Sequence, residues 1–209
     1  MMRTIEPKML YFGTPVVLIS SLNDDGTTNA APMSSAWWVG RTAMLGMSVN
    51  SQTVHNLTER PLCVLNLVDL PMVDAIDRLA LLTGRRDVPG YKKARSYRYE
   101  PDKFAAAGLT PVQLTPDGPL AVAESPVQME AEVRAIHSID SADAGLRAME
   151  AAVLATHVDE KLLLPGHKHH FDPLAWDPLI MKFTEYFAGG TNARPSSLAA
   201  GWGMPALTH

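Results

Sequence analysis

The sequence predicts a mainly β protein with helical excursions near the middle of the chain. Short apolar runs typical of strands recur in both halves, as at 15–21, 62–68 and 179–187, and turn residues separate them. Residues 127–136 alternate apolar with polar side chains, which is typical of a half-buried strand. Short, closely spaced strands joined by tight turns favour a barrel or a sandwich.

The composition is that of a folded globular protein in a reducing compartment. The chain has 209 residues, of which 46% are hydrophobic and 19% charged, and this suits one sizeable domain. A net charge of −4 gives no reason to expect nucleic acid or an anionic membrane as a partner. Cys63 is the one cysteine, so no internal disulfide forms, and its apolar neighbours indicate a buried thiol. Because we find neither a signal-peptide pattern nor a long uncharged apolar stretch, we expect a cytoplasmic protein without a membrane span.

Antiparallel pairing is predicted for the first two strands. Residues 15–21 form a buried strand, and residues 23–26 form a hairpin turn in which Gly26 adopts a positive φ. Residues 27–38 then return as the second strand. Pro32 has no N–H for a ladder, so it indicates an edge, a bulge or a gap, where a ligand can bond to free backbone groups. Further elements of this half are a strand over 43–48, a helix over 51–60 and a buried strand over 62–68.

Residues 70–115 are predicted to be an excursion from the sheet domain, because they are too short to bury a core of their own. The basic part of this excursion is either a solvated face or a cover for an anionic ligand. We expect one domain over 1–190 and a loosely held tail over 191–209. The predicted elements of the excursion are a helix over 71–83, an irregular basic and aromatic run over 85–99, and a short helix over 100–108.

The last third of the chain is expected to consist largely of strands. Residues 144–158 suit a helix at their start and a strand at their end, and periodicity alone does not decide between the two. Residues 179–187 form the predicted final strand, in which Ile180, Phe183 and Phe187 are the expected core residues.

Residues 26–56 carry two features that together suit a phosphorylated planar ligand. A run of small residues over 29–35 lets backbone amides approach a flat ring. A cluster of hydroxyls and amides over 48–56 lies where a strand gives way to a helix, and the free N–H groups of a helix's first turn favour an anion. The alternative is that Asn50 or Ser51 only caps the helix. The candidate site residues are Asn29, Ala30, Ala31, Pro32, Met33, Ser34, Ser35, Ser48, Asn50, Ser51, Thr53 and Asn56.

Other motifs give no catalytic or metal assignment. His167, His169 and His170 invite comparison with a metal site, but they follow a Pro-Gly pair and have only Asp172 as a nearby carboxylate, which favours an exposed loop. No Gly-x-Gly-x-x-Gly follows a predicted strand, and the sequence contains no phosphate-binding P-loop and no Gly-x-Ser-x-Gly elbow. We therefore predict no metal site and name no catalytic side chain.

Residues 15–68 resemble the flavin reductase-like family, whose members bind FMN on a split β-barrel. The resemblance continues more weakly through 97–104, 127–136 and 172–180, and it depends on the order and spacing of the matching pieces. It implies an FMN-binding split barrel with helical excursions and makes 148–158 a strand. The pieces that match best are Pro15-Val16-Val17-Leu18-Ile19-Ser20, Asn29-Ala30-Ala31-Pro32-Met33-Ser34-Ser35, Ser48-Val49-Asn50-Ser51-Gln52-Thr53-Val54-His55-Asn56-Leu57 and Leu62-Cys63-Val64-Leu65-Asn66-Leu67.

The family resemblance implies how each part of the candidate site is used. In the family, the stretch matching 29–35 lies beside the isoalloxazine ring and the stretch matching 48–56 lies on the ribityl phosphate. The implied cofactor is FMN, with FAD as the alternative, and the implied reductant is NADH or NADPH. The flavin carries the chemistry, so no side chain is required as an acid or a base. The family is generally homodimeric with the flavin near the interface, which gives the basic segment 85–98 a purpose as a cover.

Three functions follow from these observations. The first is an NAD(P)H-dependent flavin reductase that holds FMN or reduces it as a substrate, with a monooxygenase or another electron acceptor as its partner. The second is a flavoredoxin-like electron carrier that binds FMN without oxidising NAD(P)H. The third is a metal-dependent hydrolase built on the three histidines. Nothing in the sequence marks the pyridoxamine phosphate oxidases, which also use the split barrel.

Overall fold

A large antiparallel sheet and a helical excursion make up the protein. The computed structural model describes residues 2–8, 10–139, 145–191, 193, 196 and 204–205. Short 3-10 helices lie at Leu70–Met72 and Glu160–Leu162. In chain order the other elements are β1 (Phe12–Pro15), β2 (Val17–Leu22), β3 (Thr28–Met33), β4 (Ala36–Val39), β5 (Thr42–Ser48), α1 (Gln52–Glu59), β6 (Leu62–Leu67), α2 (Val73–Leu79), β7 (Leu82–Thr83), α3 (Gly90–Lys93), β8 (Arg98–Tyr99), α4 (Lys103–Ala107), β9 (Pro111–Val112), β10 (Ala121–Val122), β11 (Val127–Ile139), β12 (Leu146–Val158), β13 (Ile180–Lys182) and β14 (Glu185–Phe187).

The main sheet has seven strands, and the chain joins its two edges directly. The strand order is β3-β2-β6-β11-β12-β5-β4, so β3 and β4 are the edge strands. Only Ser34 and Ser35 separate them in the chain, and so short a link forces the sheet to curl until its edges lie side by side. The Gly46 N–H donates to the Ser35 carbonyl oxygen at 2.8 Å and extends the β4–β5 pairing into this link, and we call Ser34, Ser35 and Gly46 the seam. The predicted split β-barrel is confirmed.

Strand β2 lies between two hydrophobic cores because its side chains alternate between the faces of the sheet. Val17 and Ile19 face the interior of the barrel, and Leu18 packs on the outer face against the helical excursion. The interior core also contains Ala36, Leu45, Val54, Leu57, Cys63, Leu65, Ala131 and Met149. The outer core also contains Ala30, Met72, Ile76, Leu79, Phe104, Val122 and Leu179.

The first hairpin forms as predicted, but the return strand is divided. The Gly26 N–H donates to the Asn23 carbonyl oxygen at 3.0 Å, and Gly26 takes a φ of 80°. Pro32 lies on β3 at the edge of the sheet, where its missing N–H costs no ladder bond on the outer side. The prediction of one continuous strand over 27–38 was wrong, because the chain leaves one edge at Met33 and enters the other at Ala36.

Helix α1 begins where β5 ends, as predicted. The Ser51 hydroxyl oxygen accepts from the Val54 N–H at 3.1 Å and caps the helix. Val54 and Leu57 turn inward and join the interior core. Pro61 follows the last turn, and the chain enters β6.

The excursion over 70–115 is less helical than predicted. The helix expected over 71–83 ends at Leu79, because residues of β7 pair in parallel with β8 instead. Thr83 is buried as a residue of this short strand, so its helical spacing from Leu79 did not indicate a continuing helix. Helix α4 is confirmed, and Gly108 ends it at a φ of 66°. None of the described helices is long and apolar enough to cross a membrane.

The long hairpin of β11 and β12 resolves the ambiguous segment at 144–158. Its described part, from Leu146 onward, is a strand that pairs with β11 on one side and with β5 on the other. The predicted alternation over 127–136 is confirmed, with Val127, Ala131 and Val133 buried. Residues 140–144 lie outside the described part of the chain.

The predicted final strand over 179–187 is a tight hairpin. Phe183 and Thr184 take φ values of 54° and 120°, and this turn separates β13 from β14. Phe183 and Phe187 are therefore 47% and 44% exposed, and their assignment to the core was wrong. Leu179 is the fully buried residue of this region. Most of the predicted loose tail over 191–209 lies outside the described residues.

Asn66 provides a test of how the outer core is held. Its side chain is fully buried, donates to the Leu18 carbonyl oxygen at 2.8 Å and accepts from the Val122 N–H at 2.9 Å. We expect Asn66→Ala to lower the free energy of unfolding by roughly 2–4 kcal/mol, because buried polar groups lose their partners and a cavity remains. Urea unfolding followed by circular dichroism measures this.

The matched control is Gln113→Ala. Gln113 also donates twice to main-chain carbonyl oxygens, at 2.6 and 3.0 Å, but it lies on the surface, where water replaces the lost partner. A loss of stability in Asn66→Ala no larger than in this control would contradict the role given to Asn66.

Candidate functional site

A pocket opens at the seam of the barrel, between β3 and β5. Its cavity is about 290 Å³, and small side chains, two methionines and hydroxyl groups form its walls. Residues of β3, β5, the start of α1 and the N-terminal segment all contribute to it. Of the predicted site residues, it brings together Ala31, Pro32, Met33, Ser34, Ser35, Ser48, Ser51 and Thr53.

Asn29 lies directly behind one end of the pocket. Its Nδ2 donates to the Thr53 hydroxyl oxygen at 3.3 Å, and Asn29 is only 2% exposed. Its Oδ1 is buried and, within the described residues, has no hydrogen-bond partner. Gly84 packs against that oxygen, since a Cβ at Gly84 would stand 2.5 Å from it. A buried acceptor without a partner is rare in a folded protein.

Besides Asn29, three predicted site residues lie outside the lining of the pocket. Ala30 points to the opposite face of β3 and packs in the outer core. Asn50 lies beyond the lining, and its carbonyl oxygen accepts from Lys92 Nζ at 3.5 Å. Asn56 is fully buried and donates at 3.0 Å to the Ser21 hydroxyl and to Asn23 Oδ1, so it fastens α1 to the first hairpin.

The start of α1 forms the polar end of the pocket. Ser51 caps the helix through its hydroxyl oxygen and also lines the pocket, so the capping role and a binding role are compatible. The hydroxyl proton of Ser51 and the first N–H groups of the helix remain available as donors. Their direction and the helix dipole favour an anion at this end.

Three cations from the excursion act on one another, and one of them, Lys92, reaches the same end through the Asn50 carbonyl oxygen. Lys103, the first residue of α4, is 2% exposed, and within the described ranges its ammonium makes no hydrogen bond and no ion pair. Burial, and then the positive charge of Lys92, lower the pKa of Lys103 to about 7. Burial also lowers the pKa of Lys92, and Arg85 lowers it further. We call Arg85, Lys92 and Lys103 the cation group. Its members repel one another, and the nearby charge of Glu100 raises the pKa of Lys103 by less than burial and Lys92 lower it.

The other end of the pocket is narrow and built from small residues. A Cβ at Gly46 would stand 3.1 Å from the Ser35 Cβ, so the two strands approach closely there. The Ser35 hydroxyl donates to the Tyr11 hydroxyl oxygen at 3.3 Å, which brings the N-terminal segment to the wall. Met33 accepts a hydrogen bond from the Ser35 N–H through its sulfur at 3.1 Å.

Several residues at the site were missed by sequence reasoning. Gly46 carried a usable signal, because glycine inside a strand often marks a close approach of two backbones. Lys103 carried a weaker signal of a functional residue, because it is a lysine on the apolar side of a short helix. Tyr11 and Ile19 had no local signal, since only the folded topology brings them to the pocket. The missed lining residues are Tyr11, Ile19, Gly46 and Met47.

Metal and thiol chemistry find no support at the described residues. Within them, no group of three histidine, cysteine, aspartate or glutamate side chains is placed to hold a metal ion. The rings of His167 and His170 meet edge to face at 5.5 Å, and the loop that carries them is largely exposed. Cys63 is buried as predicted, and burial raises the pKa of its thiol to about 12.

Comparison with known proteins gives consistent matches over almost the whole chain. The family model described as flavin reductase like domain matches residues 9–188. The uncharacterized protein YdfE of Bacillus subtilis (strain 168) is 35% identical over 188 residues, which are 90% of this chain and 89% of that protein.

Solved structures share the fold at low sequence identity. Flavoredoxin of Desulfovibrio vulgaris (Miyazaki F) has a TM-score of 0.76 at 20% identity, covering 96% of this chain and all of that one (100%). Nitrilotriacetate monooxygenase component B from Bacillus cereus has a TM-score of 0.73 at 18% identity, covering 93% of this chain and 99% of that one.

The buried charge of Lys103 predicts an unusual dependence of stability on pH. The pKa of about 7 in the folded protein lies below the ordinary value of 10.5, so the unfolded chain binds the extra proton between these values. The penalty for charging Lys103 is complete below pH 7 and disappears as the pH rises to 10.5. We expect Lys103→Met to be more stable than wild type by roughly 2–5 kcal/mol at pH 6, with a difference that shrinks at higher pH.

Urea unfolding of both proteins without ligand, at pH values from 6 to 10, measures that difference. Lys161→Met is the control, because Lys161 is exposed and its Nζ lies 2.9 Å from an Asp159 carboxylate oxygen. A stability gap between Lys103→Met and wild type that stays constant over this range would show that Lys103 does not titrate near neutrality.

Proposed function

Because the chain belongs to the flavin reductase-like family, we propose that it is a flavoprotein oxidoreductase that binds FMN in this pocket and receives a hydride from NADH or NADPH. A bound flavin supplies the two-electron chemistry. The described lining carries hydroxyls, thioethers and main-chain groups, with no carboxylate, imidazole or amine. The role of the protein is therefore to bind the flavin, to orient it and to exclude water from it.

The buried ammonium of Lys103 is the observation that carries this proposal. An ion buried without a partner is costly, and a ligand of opposite charge compensates the cost. The cation group and the first turn of α1 favour an anion at the same end of the pocket. A phosphate monoester carries about −1.5 to −2 charges at neutral pH, enough to balance Lys92 and Lys103.

The rest of the pocket suits a chain of hydroxyls followed by a flat ring. Strand β3 runs from the phosphate end to the seam, and from Asn29 to Met33 an extended strand covers about 13 Å. The unpartnered Asn29 Oδ1 can accept from a ribityl hydroxyl. At the seam, Ala31 and the small residues Ser34 and Ser35 let a ring lie against the main chain of an edge strand.

A comparison of FMN with riboflavin tests the phosphate end. Riboflavin has the same ring and ribityl chain but no phosphate. We expect Lys103→Met to weaken FMN binding about 10- to 100-fold, the loss of one charge-assisted hydrogen bond, and to leave riboflavin binding unchanged. Flavin fluorescence titration measures both affinities.

Ser34→Trp is the matched control for the other end of the pocket. The large side chain fills the space for the ring, so this variant is expected to weaken FMN and riboflavin binding equally. If Lys103→Met bound FMN as tightly as wild type does, the phosphate would lie elsewhere and the proposal would lose its main support.

We also propose a homodimer with the flavin near the subunit interface. Trp37 and Val39 are 56% and 67% exposed on β4, the edge strand that follows the seam, and large exposed apolar residues at a sheet edge favour a protein contact. The Bacillus cereus protein of similar fold is named as a monooxygenase component. A monooxygenase that consumes reduced flavin is accordingly the acceptor that we propose.

An FMN-binding electron carrier is the second candidate. Such a protein keeps its flavin and exchanges electrons with other proteins without oxidising NAD(P)H. The presence of Tyr11 in the pocket wall favours a flavin that stays bound, which a carrier requires. The flavin site of a carrier and that of a reductase would use the same residues, so only kinetics separates them.

Anaerobic stopped-flow mixing of the FMN-loaded protein with NADH or NADPH distinguishes the two functions. A reductase is expected to lose the flavin absorption band with at least one nucleotide, much faster than free FMN under the same conditions, because the protein orients the two reactants. Reduction by dithionite but by neither nucleotide would reject the reductase and leave the carrier.

A further inference from the structure

Tyr11 is the only aromatic residue among the described residues that line the pocket. It lies at the seam, where the Ser35 hydroxyl donates to its phenolic oxygen at 3.3 Å. Its neighbours there, Ser34, Ser35 and Gly46, are too small to enclose a ligand. Tyr11 therefore supplies the one flat aromatic surface of the described lining at this end, beside the flexible side chain of Met33.

The backbone of Tyr11 is held in place by the C-terminal hairpin. The Phe183 N–H donates to the Tyr11 carbonyl oxygen at 2.9 Å. The next residue, Phe12, pairs with Lys182 across β1 and β13, and its ring meets Phe183 edge to face with centroids 5.0 Å apart. Tyr11 is thus anchored by hydrogen bonds to two separate parts of the fold, Ser35 in the barrel and Phe183 in the small sheet.

The two ends of the pocket hold a ligand by different means. The phosphate end uses charge, through the cation group and the first turn of α1. The seam has neither cations nor acidic groups in its described lining, so its hold on a ring depends on contact area and stacking. Removing the Tyr11 side chain opens that end to solvent.

We propose that Tyr11 retains the flavin, so that the flavin acts as a bound prosthetic group and not as a substrate that leaves after each turnover. This inference rests on the proposed function. Affinity differences among variants of one site lie mostly in the dissociation rate, so the role of Tyr11 is expected there. The phenol ring, which forms the wall, is the important part, and its hydroxyl contributes less because Ser35 is its only described partner.

The experiment measures FMN dissociation from wild type, Tyr11→Ala and Tyr11→Phe. Each FMN-loaded protein is mixed with an excess of an unrelated apoflavodoxin, which captures released FMN, and the fluorescence change gives the dissociation rate. We expect Tyr11→Ala to release FMN about tenfold faster or more, because it loses aromatic contact area, and Tyr11→Phe to stay within about threefold of wild type.

Leu10→Ala is the matched control. Leu10 is the preceding residue of the same segment, 68% exposed, and it does not line the pocket. It is expected to release FMN at the wild-type rate. Thermal unfolding of the flavin-free variants checks that each one folds.

The outcomes separate this inference from the proposed function. A wild-type protein that binds no flavin would reject both. Wild-type binding with release from Tyr11→Ala within about threefold of wild type would reject the role of Tyr11 alone. Equal acceleration in Tyr11→Phe, or in Leu10→Ala, would also overturn it, because the effect would then belong to the hydroxyl or to the whole segment.

Discussion

The link of Ser34 and Ser35 between the two edges of the sheet is the constraint on which the rest of the structure depends. Because β3 and β4 are both edge strands and are joined by so short a connection, the sheet has to close on itself. Yet the closure is incomplete, since a chain that crosses from edge to edge does not pair β3 with β4 along their length. The pocket lies in the resulting gap. One strand of the pocket wall is thus an edge strand with main-chain groups free to meet a ligand.

The helical excursion completes the site at a cost in stability. Leu18 of β2 and Phe104 of α4 share the outer core, so the excursion is packed on the sheet by apolar contacts. This packing also brings Lys103 into a buried position near Lys92, and the charge of Glu100 offsets only part of the resulting fall in the pKa of Lys103. The apolar contacts offset the unfavourable burial of charge. If the proposed phosphate binds at this end, anion binding and stability of the fold are coupled through the same side chains.

Sequence reasoning recovered the parts of the fold that short-range patterns encode. The hairpin at Gly26, the cap at Ser51 and the strand over 127–136 were predicted because turn chemistry, capping and alternation act over a few residues. The wrong predictions arose where tertiary pairing overrides local pattern. Thr83 lies in a strand because β8 is available as a partner, and Phe183 is exposed because a turn with positive φ divides the last strand.

The same distinction applies to the site and explains why it was only partly found. The residues over 29–35 and 48–56 belong to two strands and a helix start that are close in sequence, so their pattern was visible. Tyr11 and Lys103 come from segments far from that stretch. Tyr11 reaches the pocket wall, and Lys103 takes its buried place outside the lining, only after the barrel and its excursion have packed. In the proposed function the two ends use different forces, charge at one and contact area at the other. Substitutions in the excursion are then expected to change the affinity for phosphate with little effect on the ring, and substitutions near the N-terminus are expected to change how long a ring stays bound with little effect on the charge.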